Sequence, residues 1–437
     1  MQKNAKAISG LFLLVIVIYQ CIWHLALPIV LVRLWWKGRK EPHYRKNILE
    51  RLGFYPKRDF KDAIWIHAVS VGETRASEQI IEQLVAKGYR ILLTHTTPTG
   101  RKTGAELFKK NIAQGQVLQT YIPYDFCWPI GRFFRHFKPK MGLMMETEIW
   151  PSILFFARKK VPIYLINGRL SLKSSLSFAK FGGLSKTLFG LFEKVLAQTQ
   201  SDAEHYQLFD VQNCQVTGNL KFDVQLAPEQ IEQGQIWKAK LKHRQVICLA
   251  SSREGEEKIV IQAWQQLMTT PKPILLIVPR HLTRLGDIEK LLHQENITYG
   301  KRSQIGLPDL INEDIFLGDT MGEMGIYLSV ADYVIMGGTL MGTGGQNLIE
   351  PISIGKPVIL GPSTYNFKDI SLAAVAAGIA TQIKQSNPEQ LVIELNRHMS
   401  QLLHDPQRID AMSMLCADYA QQHKGATQKT MQYLEMN

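Results

Sequence analysis

Cysteine is scarce in this chain and never paired in sequence. The five thiols, Cys21, Cys127, Cys214, Cys248 and Cys416, are far apart and odd in number, with no C-x-x-C. That spacing argues against a disulfide or dithiol framework and reads as free thiols in a reducing compartment. H-E-x-x-H is absent, as is the P-loop pattern, and no Asp-x-Asp ends a predicted strand. Metal-bridged phosphoryl transfer therefore has no obvious ligands, and neither a metal nor a cofactor is expected. Zinc-finger spacing, RNP-like aromatics and Arg-rich runs are missing too, so no nucleic-acid partner is expected. There is no internal repeat or low-complexity segment.

What is present is a positive balance, 51 Lys and Arg against 38 Asp and Glu, formally +13. Such a field favours an acidic partner. With nucleic acid set aside, an anionic membrane or lipid fits it, because the chain opens on an apolar segment, Ala7–Val32. About twenty apolar residues span a bilayer core as helix, although Gln20, His24 and Pro28 weaken the second half. Crossing the bilayer and lying in its interface both remain open. No small-x-small site follows, so cleavage as a signal peptide is not expected. Arg33, Lys37, Arg39, Lys40, Arg45, Lys46 and Arg51 follow the segment, against Lys3 and Lys6 before it. The positive-inside bias then puts the body of the protein in the cytoplasm.

Beyond this anchor, short apolar runs alternate with helical patterns. Strands are predicted at Ile64–Val69, Arg90–Thr94, Gln119–Ile122, Met141–Met145, Pro162–Ile166, Val195–Gln198 and Gln215–Thr217. The alternation stalls over Lys221–His243, polar apart from a short helical stretch and read as a linker. It resumes at Val246–Ala250, Ile274–Val278, Ile315–Leu317, Tyr333–Met336 and Pro357–Leu360. Strand and crossover helix in regular turn mean parallel sheets covered on both faces. The expected organisation is an anchor over 1–35 and two doubly wound, Rossmann-like α/β domains over 36–225 and 226–437, facing across a cleft.

Ligands in such sheets bind beyond the carboxyl ends of the strands, and several chemistry-bearing groups fall there. Ser70-Val71-Gly72 ends the first strand and Glu73 opens the next helix. A carboxylate in a partly dry site suits a general base, and equally an ordinary first-turn Glu favoured by the helix dipole. Glu146 and Glu148 follow the fourth strand. An extended segment would point them opposite ways, leaving one usable carboxylate and another capping or pairing. Arg169 and Lys221 end later strands and suit phosphates.

In the second half, Ser251 and Ser252 read as helix N-caps with Glu254 and Glu256 in the first turn. Arg280 ends the next strand, and Gly322-Glu323-Met324 precedes a helix. The stretch Gly337–Pro351 holds Gly344 and Gly345, whose amides would face a phosphate. Asn347 and Glu350, one helical turn apart, would face a sugar.

Taken in order, His67–Glu73, Thr96–Gly100, Tyr121–Asp125, Met145–Pro151, Gly218–Asp223, Gly255–Glu257, Val278–His281, Gly318–Glu323, Gly344–Glu350 and Asn366–Asp369 resemble the Kdo transferases of lipopolysaccharide assembly. These are GT-B glycosyltransferases that handle 3-deoxy-D-manno-octulosonic acid. The resemblance implies CMP-Kdo as donor and the tetraacyl glucosamine disaccharide bisphosphate precursor of lipid A as acceptor. It implies Glu73 as catalytic base and Glu146 or Glu148 on the acceptor side, where Ser70, Gly72, Arg169 and Lys221 are also expected from their strand-end positions. It implies Arg280, Asn347 and Glu350 on the donor side, a set that Ser252, Arg253, Gly322, Glu323, Met324, Gly344 and Gly345 would complete by their strand-end and loop positions. Two positions depart from the family pattern: Gln346 replaces a usual His, and Ser252-Arg253 replaces a frequent Thr-His. The alternative is another membrane-associated GT-B glycosyltransferase with a different nucleotide-sugar donor.

Overall fold

The computed structural model describes residues 9–40, 42–57, 59–223, 226–241, 244–304 and 313–434. Ala7, Lys3 and Lys6, together with Gln225 at the expected domain boundary and His243 at the expected linker end, lie outside the described residues. The chain forms two compact units, Met1–Asp223 with His423–Asn437, and Val224–Gln422.

The first unit is built on a seven-stranded parallel sheet. Its strands are β1 (Ile64–His67), β2 (Ile91–His95), β3 (Val117–Tyr121), β4 (Met141–Met145), β5 (Ile163–Gly168), β6 (Lys194–Ala197) and β7 (Cys214–Val216), in the order β3-β2-β1-β4-β5-β6-β7. β1, β2 and β6 are apolar runs because a parallel strand is covered on both faces. Trp65, Ile64, Leu143 and Val195 are completely buried. The order reverses direction at β1, so the loops after β1 and β4 diverge there and leave room for a ligand.

The second unit repeats the plan with β8 (Val246–Ser252), β9 (Ile274–Pro279), β10 (Tyr299–Lys301), β11 (Ile315–Leu317), β12 (Tyr333–Met336), β13 (Val358–Leu360) and β14 (Ala380–Gln382). They run in the order β10-β11-β9-β8-β12-β13-β14. Here the switch falls at β8 and β12. All twelve expected strands are found, Met141–Met145, Ile315–Leu317 and Tyr333–Met336 with the expected ends and the others shifted by one or two residues. β10 and β14 escape sequence reading because each is a three-residue edge strand of mixed polarity.

Three expectations need correction. The N-terminal helix outruns the expected anchor of 1–35: it runs from Gly10 to Lys40, through Pro28 and into the basic stretch. By length and composition it is able to cross a membrane. The Lys221–His243 linker is largely structure. Pro228–Lys240 is a helix packed so closely on the helix Met324–Val330 that a Cβ on Gly234 would lie 2.5 Å from Ser329 Cβ. Finally, the second domain does not extend to residue 437, because His423–Asn437 returns to the first unit.

Ala426, Met431 and Leu434 join the first unit's core, and Asp223 pins the start of that return. Asp223, almost fully buried, accepts from the amides of Gly425 (2.7 Å) and Thr427. Phe222 stacks on His423 at 4.8 Å. Gly218 sits at φ +94, with His423 O only 3.0 Å from where a Cβ would be, so only glycine suits the turn. We expect Asp223→Ala to destabilise the first unit by about 2–4 kcal/mol, the value of charge-assisted bonds whose buried donors are left unpaired. Denaturation followed by far-ultraviolet circular dichroism measures this, and a loss under about 0.5 kcal/mol would show that the return is held by other contacts.

Candidate active site

In the first unit the site grows from the carboxyl end of β1. The strand stops at His67, and Ser70 caps the helix Val71–Ala76 with Oγ accepting from Glu73 N at 3.3 Å. Glu73 closes the box by reaching back: Oε2 accepts from Ser70 N at 3.2 Å and from Val69 N. Glu73 is thus a capping-box glutamate in the ordinary sense. It is also buried, at 8% exposure, and its carboxyl is pushed up to about 8. Burial is the main cause, followed by the nearby charges of Glu146 and Glu148. The two amide bonds oppose this and lose, because desolvating the ionised form costs more than they return. Gly72 lies exposed in the same turn.

The carboxylates after β4 behave differently from expectation. The segment is not extended. Glu146 adopts a left-handed conformation at φ 55, and the turn lets both it and Glu148 act on Glu73. Lys221 Nζ pairs with Glu146 Oε1 at 2.6 Å. Glu148 Oε2 accepts from Trp150 Nε1 at 2.6 Å, and its carboxyl is raised by burial. Both carboxylates therefore belong to one cluster, each with its own partner.

His67, which had no assigned role, stands behind Glu148. It is fully buried, its Nε2 is 3.8 Å from Glu148 Oε2 and makes no hydrogen bond. Burial lowers it to about 3, so the ring is neutral. Its position at the last residue of β1 was the available signal. Arg169 is placed by its amide, which donates to Glu146 O at 3.3 Å, so it joins the same turn.

In the second unit the loops after β8, β9, β11 and β12 carry the candidates. Ser251 and Ser252 are not N-caps: β8 continues through Ser252, and the cap of the helix Glu256–Gln265 is Gly255 at φ 86. A left-handed residue is needed there and glycine supplies it. Ser252 Oγ instead donates to Glu257 Oε1 at 2.6 Å. Glu257 also takes a two-pronged contact from Arg284, at 2.6 and 3.2 Å. Glu254 is outside the helix and exposed. Arg253 Nη1 lies 3.3 Å from His281 Nε2. Arg280 is exposed, with its amide donating to Ser252 O at 3.1 Å.

The glycine-rich loop after β12 uses its amides internally. Gly344 N donates to Ser363 Oγ at 3.1 Å and Gly345 N to Gly338 O at 2.7 Å. Gly338 N and Leu340 N donate to the buried Glu256, at 2.7 and 2.8 Å. The expectation that the Gly344 and Gly345 amides receive a phosphate is thus corrected: those donors are engaged, and the glycines serve the loop's path. The helix that follows starts only at Ile349. Asn347 and Glu350 do meet, Nδ2 to Oε1 at 3.0 Å.

Glu323 is the N-cap residue of the helix Met324–Val330, without a side-chain cap bond. It pairs with Arg302 (3.0 Å) and accepts from Thr320 Oγ1. Gly322 takes φ 79 beside it, and its carbonyl accepts from Gln230 Nε2 at 2.6 Å. Arg284 and Arg302 carried no strand-end or motif signal, since each is found only by its carboxylate partner. Among the described residues, no group of three or more His, Cys, Asp or Glu side chains is arranged to hold a metal ion.

Residues 46–224 match the family described as 3-deoxy-D-manno-octulosonic-acid transferase (kdotransferase). A 3-deoxy-D-manno-octulosonic acid transferase of Bordetella pertussis is 41% identical over 379 residues, covering 85% of this chain and 86% of that protein. The corresponding transferase of Haemophilus influenzae is 29% identical over 425 residues, covering 94% of this chain and 96% of that one. Among solved structures, the UDP-GlcNAc 2-epimerase of Neisseria meningitidis superposes with a TM-score of 0.50 at 16% identity. It covers 86% of this chain and 100% of the epimerase, a likeness of fold alone.

Proposed function

Since the chain belongs to the 3-deoxy-D-manno-octulosonic acid (Kdo) transferase family and is a glycosyltransferase of GT-B-like fold, we propose that it moves Kdo from CMP-Kdo to a hydroxyl of the lipid A precursor, with Glu73 as base. The hydroxyl oxygen attacks the anomeric carbon of Kdo as the bond to the CMP phosphate breaks. The electron pair leaves with CMP, and the hydroxyl proton passes to Glu73. The observation that carries this reading is Glu73 itself, a buried carboxylate raised to about 8 at a strand end. A base whose pKa lies near the working pH takes a proton in the transition state most effectively.

On this reading the pair Lys221–Glu146 (2.6 Å) orients the acceptor turn, with Ser70, Gly72, Glu148 and Arg169 around it. Arg253, Arg280, Asn347 and Glu350 hold the cytidine nucleotide, and Ser252 with Gly322, Glu323 and Met324 shapes the pocket. A fixed guanidinium fork suits a phosphate or a sugar carboxylate. The protein works at the cytoplasmic face of the inner membrane. Incubating it with CMP-Kdo and the tetraacyl bisphosphate acceptor should give a product heavier by one or more Kdo residues in mass spectrometry. Transfer only from a UDP- or GDP-sugar would favour a different glycosyltransferase of this fold.

Transfer is also expected to be metal-independent, because Arg253 and Arg280 supply the positive charge that a divalent ion would otherwise bring to a leaving phosphate. The initial rate in EDTA should match the untreated rate. A collapse that magnesium restores would refute metal independence and leave the transferase assignment standing.

A further inference from the structure

The N-terminal helix Gly10–Lys40 has no amphipathic stripe of its own, since Leu, Ile and Val surround it on all sides before its basic end. The tertiary structure gives it two faces. Phe12, Ile16, Leu34 and Gly38 are buried, with Gln20 and Trp23 half-buried between them. Phe12, Ile16, Gln20 and Trp23 recur at helical spacing and lie against the first unit, Phe12 facing Phe155 at 6.3 Å. Gly38 is covered by Arg45 of the turn that follows the helix.

That docking is polar as well as apolar. Gln20 donates from Nε2 to Ser152 Oγ at 2.5 Å and accepts at Oε1 from Cys127 N, also at 2.5 Å. Tyr19 OH donates to Asp125 Oδ2 at 3.0 Å. Trp23 stacks on Tyr124 and Phe126 at 5.6 and 6.0 Å. Ser152 and Asp125 are completely buried. An upright, membrane-crossing helix would have to break this set, or carry the first turns of Cys127–Phe137 and Pro151–Ala157 into hydrocarbon. Unsatisfied polar groups make either costly there.

The outer face is bare, with Leu25, Ile29 and Trp36 exposed at 79, 71 and 68%. Leu172, Leu176 and Phe181 are also exposed, at 58, 56 and 63%. They precede the helix Gly183–Phe189, which packs on the N-terminal helix. Exposed apolar surface on this scale marks a protein or lipid contact. Exposed cations at its rim, Arg33, Lys37, Arg39, Lys173 and Lys180, match anionic headgroups.

We propose that the N-terminal helix lies along an anionic phospholipid leaflet without crossing it, held between the first unit and the acyl chains, and that Leu172, Leu176 and Phe181 enter the same leaflet. This goes beyond the transfer reaction and rests on it only for the presence of a membrane.

The test measures depth in the full chain. Val17→Cys and Ile29→Cys, each in a background with Cys21, Cys127 and Cys214 replaced by Ser so that only buried thiols remain, are labelled with a fluorophore and reconstituted in phosphatidylglycerol-containing vesicles bearing brominated lipids. Both sites are on the exposed face. A helix lying flat gives depths within a few Å of each other. A crossing helix separates them by about 18 Å, from twelve residues at ~1.5 Å each, and that result overturns the proposal while leaving membrane residence intact. Failure to float with vesicles at all would overturn both. In the second arm, L172E/L176E/F181E should lower vesicle partitioning about tenfold with unchanged melting, because charges do not enter the acyl region. Unaltered partitioning would remove these three residues from the contact.

Discussion

Glu73→Gln should lose about 10²–10⁴-fold in kcat, the usual cost of removing a general base, while binding CMP as before. The amide keeps the fold because Gln serves a capping box as Glu does, still accepting from Val69 and Ser70. Two pH profiles sharpen this result. The base must be ionised to act, so wild-type kcat/KM should climb through about pH 8, and the residual activity of the variant should not.

Stability should move the other way. The folded carboxyl holds its proton up to about 8, against an ordinary value of 4.5. Its favourable contribution is therefore complete below about 4.5 and disappears as pH rises through 8. Glu73→Gln, with nothing to ionise, should melt above wild type at pH 9 and alongside it at pH 4. Near-normal turnover in the variant, or identical melting at pH 9, would reduce Glu73 to a cap.

The second large effect is expected at the donor side. Glu350→Ala should weaken CMP binding about ten- to a hundredfold, equivalent to roughly 1.5–3 kcal/mol for a charge-assisted hydrogen bond. The motive is the contact of Asn347 Nδ2 with Glu350 Oε1 at 3.0 Å, which fixes the carboxylate at the start of a helix. Arg280→Ala should cost a similar amount, and the double variant less than the sum if both hold one nucleotide. Titration calorimetry of the three variants with CMP decides it. An unchanged affinity in Glu350→Ala would leave this stretch a turn with no ligand role.

The two sheets were legible because buried parallel strands are written locally, as short β-branched runs such as Ile64–Ile66 and Val246–Leu249 bounded by turn residues. The positions of Glu73, Lys221 and Arg280 were legible for the same reason: each ends such a run. The relation of one side chain to another was not. Glu146 and Glu148 join one cluster only because Glu146 is left-handed. Ser252 loses its cap role to a left-handed Gly255. The Gly344 and Gly345 amides are taken by Ser363 and Gly338. Each outcome depends on partners or backbone angles that spacing does not encode.

By itself the sequence determined the alternation of strands and helices, the strand-end carboxylates and cations, and an apolar N-terminal helix, all properties of short windows and periodicity. Only the tertiary structure decided that His423–Asn437 returns to the first unit through Asp223, that Glu73 is dry enough to titrate near 8, and which face of the N-terminal helix is covered. Desolvation and long-range pairing depend on what the rest of the chain brings alongside, and a helix that is apolar all round carries no mark of which side that will be.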